Sequence, residues 1–193
     1  MTLNRREFVK LLGAGAAVGA ASFYGYAKPP TRTIGRVVVV GGGYAGATAA
    51  KYIRLWQPAI EVILVEPNAN FVSCPFSNRV LAGTMTIKEL TLGYDRLQSV
   101  RGVKLVRDEV MAVNAERRLV LLAKGDPIAY DRLILAPGID FIYDQLPGLN
   151  NAAAQERVLH AWKAGPQTVA LRKQLEAMRD GGVFALHIPK APY

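Results

Sequence analysis

Cysteine occurs once in the 193-residue chain, at Cys74, which excludes an internal disulfide framework. Histidine occurs twice, at His160 and His187. These lie far in sequence from each other and from Cys74, so no metal-ligand cluster is legible. Like charges never form a block of about five or six residues, the length that marks an interaction tail. The formal net charge is nonetheless +9. A dispersed basic excess reads as a solvated surface rather than a nucleic-acid patch. Internal repeats are absent. Past residue 27, no apolar run approaches the ~20 residues of a bilayer-spanning helix, so the mature chain is expected to carry no span. What remains is ordinary for a folded domain: 51% hydrophobic and 20% charged residues, a composition that does not indicate disorder.

The first 27 residues read as an address. Arg5, Arg6 and Lys10 precede a run of Leu, Ala, Gly and Val from Leu11 to Val18, and the apolar character continues to Ala27. A charged start, an apolar middle and small residues near the end make a signal peptide. Paired arginines followed by Phe8 and Lys10 resemble the twin-arginine export signal. Asn4 replaces the usual Ser or Thr ahead of the pair. Gly13, Gly15, Gly19 and Gly25 dilute the run too much for an anchor. Cleavage is expected after Ala27, and the mature protein is expected in the periplasm.

The mature chain opens with Arg36-Val37-Val38-Val39-Val40, a β-branched run suited to a strand buried on both faces of a parallel sheet. Residues 47–56 read as a helix ended by Pro58, and Glu61 to Val65 as a second strand with Glu66 at its tip. That is one parallel crossover unit. A short helix follows Cys74, with Ser77 as its expected cap and Gly83 as its stop. Short strands are expected over 103–106 and 109–114, a β-meander over 118–130, and a buried strand over 132–136. Residues 167–180 have helical periodicity, with Leu171, Leu175 and Met178 on one face. Val183 to Ile188 reads as a further strand.

Gly41-x-Gly43-x-x-Gly46 is the dinucleotide fingerprint, and its context gives it force. It follows a strand, opens a helix, and has an acid at the end of the next strand. Gly41 permits the tight turn, Gly43 lets the backbone approach a pyrophosphate, and Gly46 lets the helix pack on the sheet. The N–H groups of the helix start, through Tyr44 and Ala45, offer partial positive charge to phosphates. Glu66 is placed to accept hydrogen bonds from the adenosine ribose, and its charge disfavours a 2′-phosphate. The fingerprint alone does not separate FAD from NAD. FAD is favoured by its place at the start of the mature chain and by the meander that follows. The later run Asp131 to Gly138 adds to this, because Leu133-Ile134-Leu135-Ala136-Pro137-Gly138 resembles the second flavin motif of glutathione-reductase-like flavoproteins. Ala136 and Gly138 would lie against the cofactor, and Val110 would meet adenine through its backbone.

Within that superfamily the chain resembles the flavoprotein of the sulfide-oxidising flavocytochrome c family. The resemblance covers almost all of residues 36–180. It runs through Val37 to Gly43, Gly46 to Ile53, Cys74-Pro75-Phe76-Ser77-Asn78, Ala136 to Ile139, Tyr143-Asp144, His160 to Gly165 and Leu171 to Glu176. It implies that Cys74 joins FAD through sulfur at the flavin 8α carbon. The residues themselves leave two further readings of Cys74 open, a contact without a bond and an inert small hydrophobe. His160 and Trp162 are nominated for no catalytic role.

The resemblance also implies the whole protein's work. A small sulfur substrate would be oxidised, and electrons would pass through flavin to a cytochrome c (haem) subunit. Alternatives are a quinone- or NADH-linked FAD reductase of the same superfamily, or a non-catalytic exported FAD-binding subunit. No glycine fingerprint follows Ile188; Pro189-Lys190-Ala191-Pro192 stands there instead. Prolines lack the N–H donors that cradle a pyrophosphate, which weighs against NADH. The family's redox cysteines are expected beyond Tyr193, so no catalytic residue is assigned within the chain. The expected organisation is a signal over 1–27, then the first part of a glutathione-reductase-like FAD-binding Rossmann domain over 28–180. A second α/β domain is expected to begin at 181.

Overall fold

The computed structural model describes residues 32–188. The segment expected to be an export signal and the proline stretch after Ile188 lie outside the described residues. The described residues divide into two compact units, 32–67 with 95–137, and 68–94 with 138–188.

The first unit is built on a four-stranded parallel sheet. Strands β1 (Gly35–Val40) and β2 (Ile60–Val65) flank helix α1 (Tyr44–Trp56) in sequence. Two later strands complete the sheet, β5 (Lys104–Val106) and β9 (Arg132–Leu135), in the order β5-β2-β1-β9. Val38 pairs with Ile63 on one side and Leu133 on the other. A strand with neighbours on both sides and cover on both faces needs apolar residues throughout, which is why β1 is a run of valines. Alternate residues serve the two faces. Val38, Val40, Ile63 and Val65 form one core cluster with Val120, backed by Val106, Val110, Leu122, Ile128, Tyr130 and Leu133. Val39 turns the other way, toward Gly46 of α1.

Val110, Val120, Leu122 and Ile128 come from an antiparallel sheet in which the strand expected over 109–114 pairs with the meander expected over 118–130: β6 (Val110–Asn114), β7 (Leu119–Leu122) and β8 (Ile128–Ala129). Helix α3 (Asp95–Ser99) precedes β5. At the N-terminal end of the parallel sheet, Glu61 of β2 accepts from Arg36 of β1 and Lys104 of β5. Asp131 accepts the Arg36 backbone N–H at 2.6 Å. Those two acids tie the starting ends of all four strands.

The second unit contains a hairpin of β3 (Asn70–Val72) and β4 (Thr91–Gly93), with helices α2 (Ser77–Leu81), α4 (Ala152–Arg157) and α5 (Pro166–Glu176). Ser77 is not the cap of α2. The N-cap is Phe76, in the left-handed region at φ 68°. Ser77 is already helical, because the chain enters through a turn in which the Ser77 N–H donates to the Cys74 carbonyl at 3.0 Å. Gly83, at φ +75°, does stop the helix, donating to the Val80 carbonyl. Helix α5 ends at Glu176, short of the expected Asp180.

The strand expected over 183–188 does not form. Val183, Phe184, Leu186 and Ile188 are all exposed. A β-branched run makes a strand only with a neighbour to share its hydrogen bonds, and none lies beside it among the described residues.

Candidate functional site

The C-terminal end of the parallel sheet carries the glycine turn. The Ala136 N–H donates to the Val40 carbonyl at 2.8 Å, and the Gly41 N–H donates to the Val65 carbonyl at 2.9 Å. The turn therefore starts clamped between β9 and β2. Gly41 then takes φ +95°. A Cβ there would overlap the Ala136 carbonyl oxygen and sit 3.2 Å from the Pro137 Cα. Both the dihedral and the space demand glycine.

Gly43 is the N-cap of α1, at φ −70° and ψ −167°. The first helical bond runs from the Ala47 N–H to the Gly43 carbonyl at 2.9 Å. The residues Tyr44 to Gly46 form the first turn of α1, where the helix dipole places partial positive charge. Tyr44 opens the helix with its side chain 54% exposed. Gly46 is buried, and a Cβ on it would overlap the Gly41 carbonyl oxygen and lie 3.2 Å from Val39 Cγ1. The helix thus begins as close to the sheet as backbone permits.

Glu66 follows β2 directly, and its own N–H donates to the Val106 carbonyl at 3.0 Å. The residue is 8% exposed. Its Oε2 accepts the Gly42 N–H at 2.7 Å. That bond was not legible in the sequence. Its only signal there was an acid ending the strand beside a glycine-rich turn. These features fit a bound dinucleotide: a side-chain-free turn, the positive end of a helix and a carboxylate at the neighbouring strand tip are what a diphosphate and a ribose need.

The remaining predicted site residues are spread more widely. Ala136 meets the turn as described, and Gly138 takes φ +80°. Val110 begins β6, packs on the core cluster and precedes a bulge before Ala112. Asp131 belongs to the opposite end of the sheet, where it fastens β9 to β1.

Cys74 lies in the second unit, exposed in the turn between β3 and α2. Hydrogen bonds hold both sides of that turn. The Ser73 N–H donates to the Leu90 carbonyl at 2.9 Å and the Ser77 N–H to Cys74 itself. The left-handed Phe76, 62% exposed, sits just beyond. A bulky residue keeps that conformation only where its surroundings fix it.

Two clusters of the second unit escaped the sequence. His160 lies against the Phe141 ring, centroids 4.3 Å apart. Burial pushes its pKa down, the nearby Lys163 ammonium adds to this, and Asp140 opposes both. Lys163 pairs with Asp140 at 3.1 Å, and Trp162 is 65% exposed. Arg172 of α5 donates to the Leu81 carbonyl at 2.7 Å and lies over Gly83. Among the described residues no group of three or more His, Cys, Asp or Glu could hold a metal ion, and no helix is long and apolar enough to cross a membrane.

Residues 35–176 match the family model described as pyridine nucleotide-disulphide oxidoreductase. The chain is 64% identical over 45 residues to the flavocytochrome c sulfide dehydrogenase flavoprotein chain of Chlorobaculum thiosulfatiphilum, covering 23% of this chain and 94% of that sequence. It is 32% identical over 124 residues to the mitochondrial sulfide:quinone oxidoreductase of Mus musculus, covering 63% of this chain but 27% of that one. The sulfide:quinone oxidoreductase structure from the hyperthermophilic bacterium Aquifex aeolicus superposes with a TM-score of 0.62 at 20% identity, over 73% of this chain and 31% of that one. The chain therefore spans about a third or less of the longer relatives. It belongs to the pyridine nucleotide-disulphide oxidoreductase family and carries that family's α/β, glutathione-reductase-like FAD-binding Rossmann fold.

Proposed function

We propose that this chain is the FAD-binding part of an oxidoreductase that takes electrons from a small sulfur reductant and hands them to a separate acceptor. The observation that carries the dinucleotide reading is the glycine turn, where a side chain at Gly41 or Gly46 would strike main-chain atoms, and the meander of β6 to β8 with the β9 run that follows it favours FAD. FAD, when bound, supplies the exchange between two-electron and one-electron chemistry. The chain's own residues bind and orient it. Gly41, Gly43 and the α1 amides of Tyr44, Ala45 and Gly46 are assigned to the diphosphate. Glu66 is assigned to the adenosine ribose, and Val110, Ala136 and Gly138 to further cofactor contacts.

Two acceptors have specific support. A quinone-linked reductase has the broader support, because the mouse relative and the Aquifex structure both bear that name. A cytochrome c subunit is supported by the high identity over 45 residues to the flavocytochrome chain. This second reading brings with it a thioether from Cys74 to the flavin. The exposed thiol in a turn fixed from both sides suits such a bond. Residues 1–27 are assigned as a twin-arginine export signal on their sequence alone, and the mature protein to the periplasm.

The test is anaerobic reduction of the FAD-loaded protein by sulfide, followed by mixing with a short-chain ubiquinone, with oxidised cytochrome c, or with NAD+. Bleaching of the flavin by sulfide with reoxidation by one of the first two assigns the acceptor. Bleaching by NADH but not sulfide removes the sulfur reading. Acid precipitation separates the forms of attachment: a yellow pellet that turns colourless in Cys74→Ser supports the thioether, and yellow supernatant from the native protein refutes it.

A further inference from the structure

We infer that Glu66 also acts as a positioning residue, a latch that fixes the glycine turn before the dinucleotide arrives. The inference rests on the FAD reading above and adds to it a role that does not pass through the ribose. Three consecutive glycines, Gly41 to Gly43, form the most freely rotating stretch a chain can have. A diphosphate, however, is held only by amides that point in fixed directions, and ordering them during binding lowers affinity. Something must restrain the turn beforehand.

The structure shows the restraints. Gly41 is held by its own N–H, donated to the Val65 carbonyl at 2.9 Å. Gly43 is held as the N-cap of α1. Gly42 lies between them, buried, and its N–H donates to Glu66 Oε2 at 2.7 Å. The acceptor is itself anchored. Glu66 is 8% exposed, and its backbone N–H is bound to the Val106 carbonyl of β5. A buried amide bonded to a carboxylate is among the stronger neutral-to-charged contacts. It joins the tip of β2 to the middle of the turn, so the peptide plane at Gly42 cannot rotate without leaving a buried N–H unpaired. Reach matters as well: an aspartate at position 66 has one methylene fewer.

The two roles of Glu66 separate in a cycle that combines substitution with ligand modification. FAD and an FAD analogue whose adenosine ribose lacks both hydroxyls are titrated into deflavinated native, Glu66→Ala, Glu66→Asp and Glu66→Gln proteins, with binding read from flavin fluorescence. A carboxylate that serves only the ribose has nothing to offer the analogue, so native and Glu66→Ala proteins would then bind it equally. The latch predicts that Glu66→Ala and Glu66→Asp still bind the analogue on the order of ten- to a hundred-fold more weakly than native. Glu66→Gln, whose amide oxygen still accepts from Gly42, recovers most of that loss. Equal analogue binding by native and Ala proteins overturns the inference.

Amide hydrogen exchange at Gly42 in the ligand-free protein gives a second readout. It should be slow in native and Glu66→Gln proteins and fast in Glu66→Asp. Equally fast exchange in native and Asp proteins overturns the latch even if Glu66→Ala does not fold. A native protein that takes up neither ligand sinks the FAD reading instead, and slow Gly42 exchange in that protein would still support the latch.

Discussion

Alanine at position 46 sets two effects of opposite sign against each other. Gly46 lies inside α1, and helix propensity alone favours alanine over glycine by about 1 kcal/mol. A reader with the helix boundaries but not the packing would therefore expect Gly46→Ala to stabilise. The structure reverses the sign. The added Cβ would overlap the Gly41 carbonyl oxygen and press on Val39 Cγ1 at 3.2 Å. Neither neighbour is a flexible side-chain end. Gly41 is fixed by its bond to Val65, and Val39 is fully buried in the central strand. The helix start must move away from the sheet, an overpacking change that costs roughly 1–3 kcal/mol. Because the overlap is with a main-chain oxygen, the upper end of that range applies, about 2–3 kcal/mol, and subtracting the propensity gain leaves a net loss of about 1–2 kcal/mol.

The same displacement shifts the α1 amides that would meet the diphosphate, so FAD affinity should fall with stability. The assay is urea unfolding followed by circular dichroism, alongside flavin occupancy from the ratio of visible to ultraviolet absorbance. Thr48→Ala, at an exposed position of the same helix, supplies the control. It changes propensity without packing and should stabilise by a few tenths of a kcal/mol. A Gly46→Ala protein as stable as native, with full flavin uptake, would refute the close-packed helix start and the site built on it.

Other consequences follow from single contacts. Hydrogen bonds from Lys104 and Arg36 hold the Glu61 carboxyl below its ordinary pKa of 4.5. Because the folded pKa is depressed, that stabilisation is present above about pH 4.5 and lost as pH falls through the lower folded value. Glu61→Gln should cost about 1 kcal/mol or less at neutral pH and should flatten this part of the acid denaturation curve. Arg172→Ala leaves the last carbonyl of α2 without its cap and should cost about 1–2 kcal/mol. Limited proteolysis should then cut between residues 77 and 84 faster than in the native protein. Replacing Arg5 and Arg6 together by lysine should leave the protein in the cytoplasm, as measured by fractionation. Export at the native level would remove the twin-arginine assignment.

Much of the first unit is legible in its residues because its signals are local and agree with one another. Four consecutive valines demand burial on both sides, and glycines at fixed offsets demand a turn into a helix. Alternation over 118–130 demands a meander, and each of these is found where it is expected. The second unit is harder to read. Ser77 has the chemistry of a cap, yet the turn through Phe76 places it inside the helix. Val183 to Ile188 has the composition of a strand, yet nothing among the described residues pairs with it. Local propensity proposes an element, and only a neighbour that completes its hydrogen bonds makes it real.

At the candidate site the division is similar. The sequence alone determines that a glycine turn leads from a buried strand into a helix, with an acid ending the adjacent strand. These are properties of spacing, because period and turn chemistry act within a few residues. Only the tertiary structure decides that Glu66 bonds to Gly42, that Asp131 serves the far end of the sheet, and that Arg172 caps α2. Each of those contacts joins residues that are distant in the chain, so its existence depends on how the strands and helices are stacked.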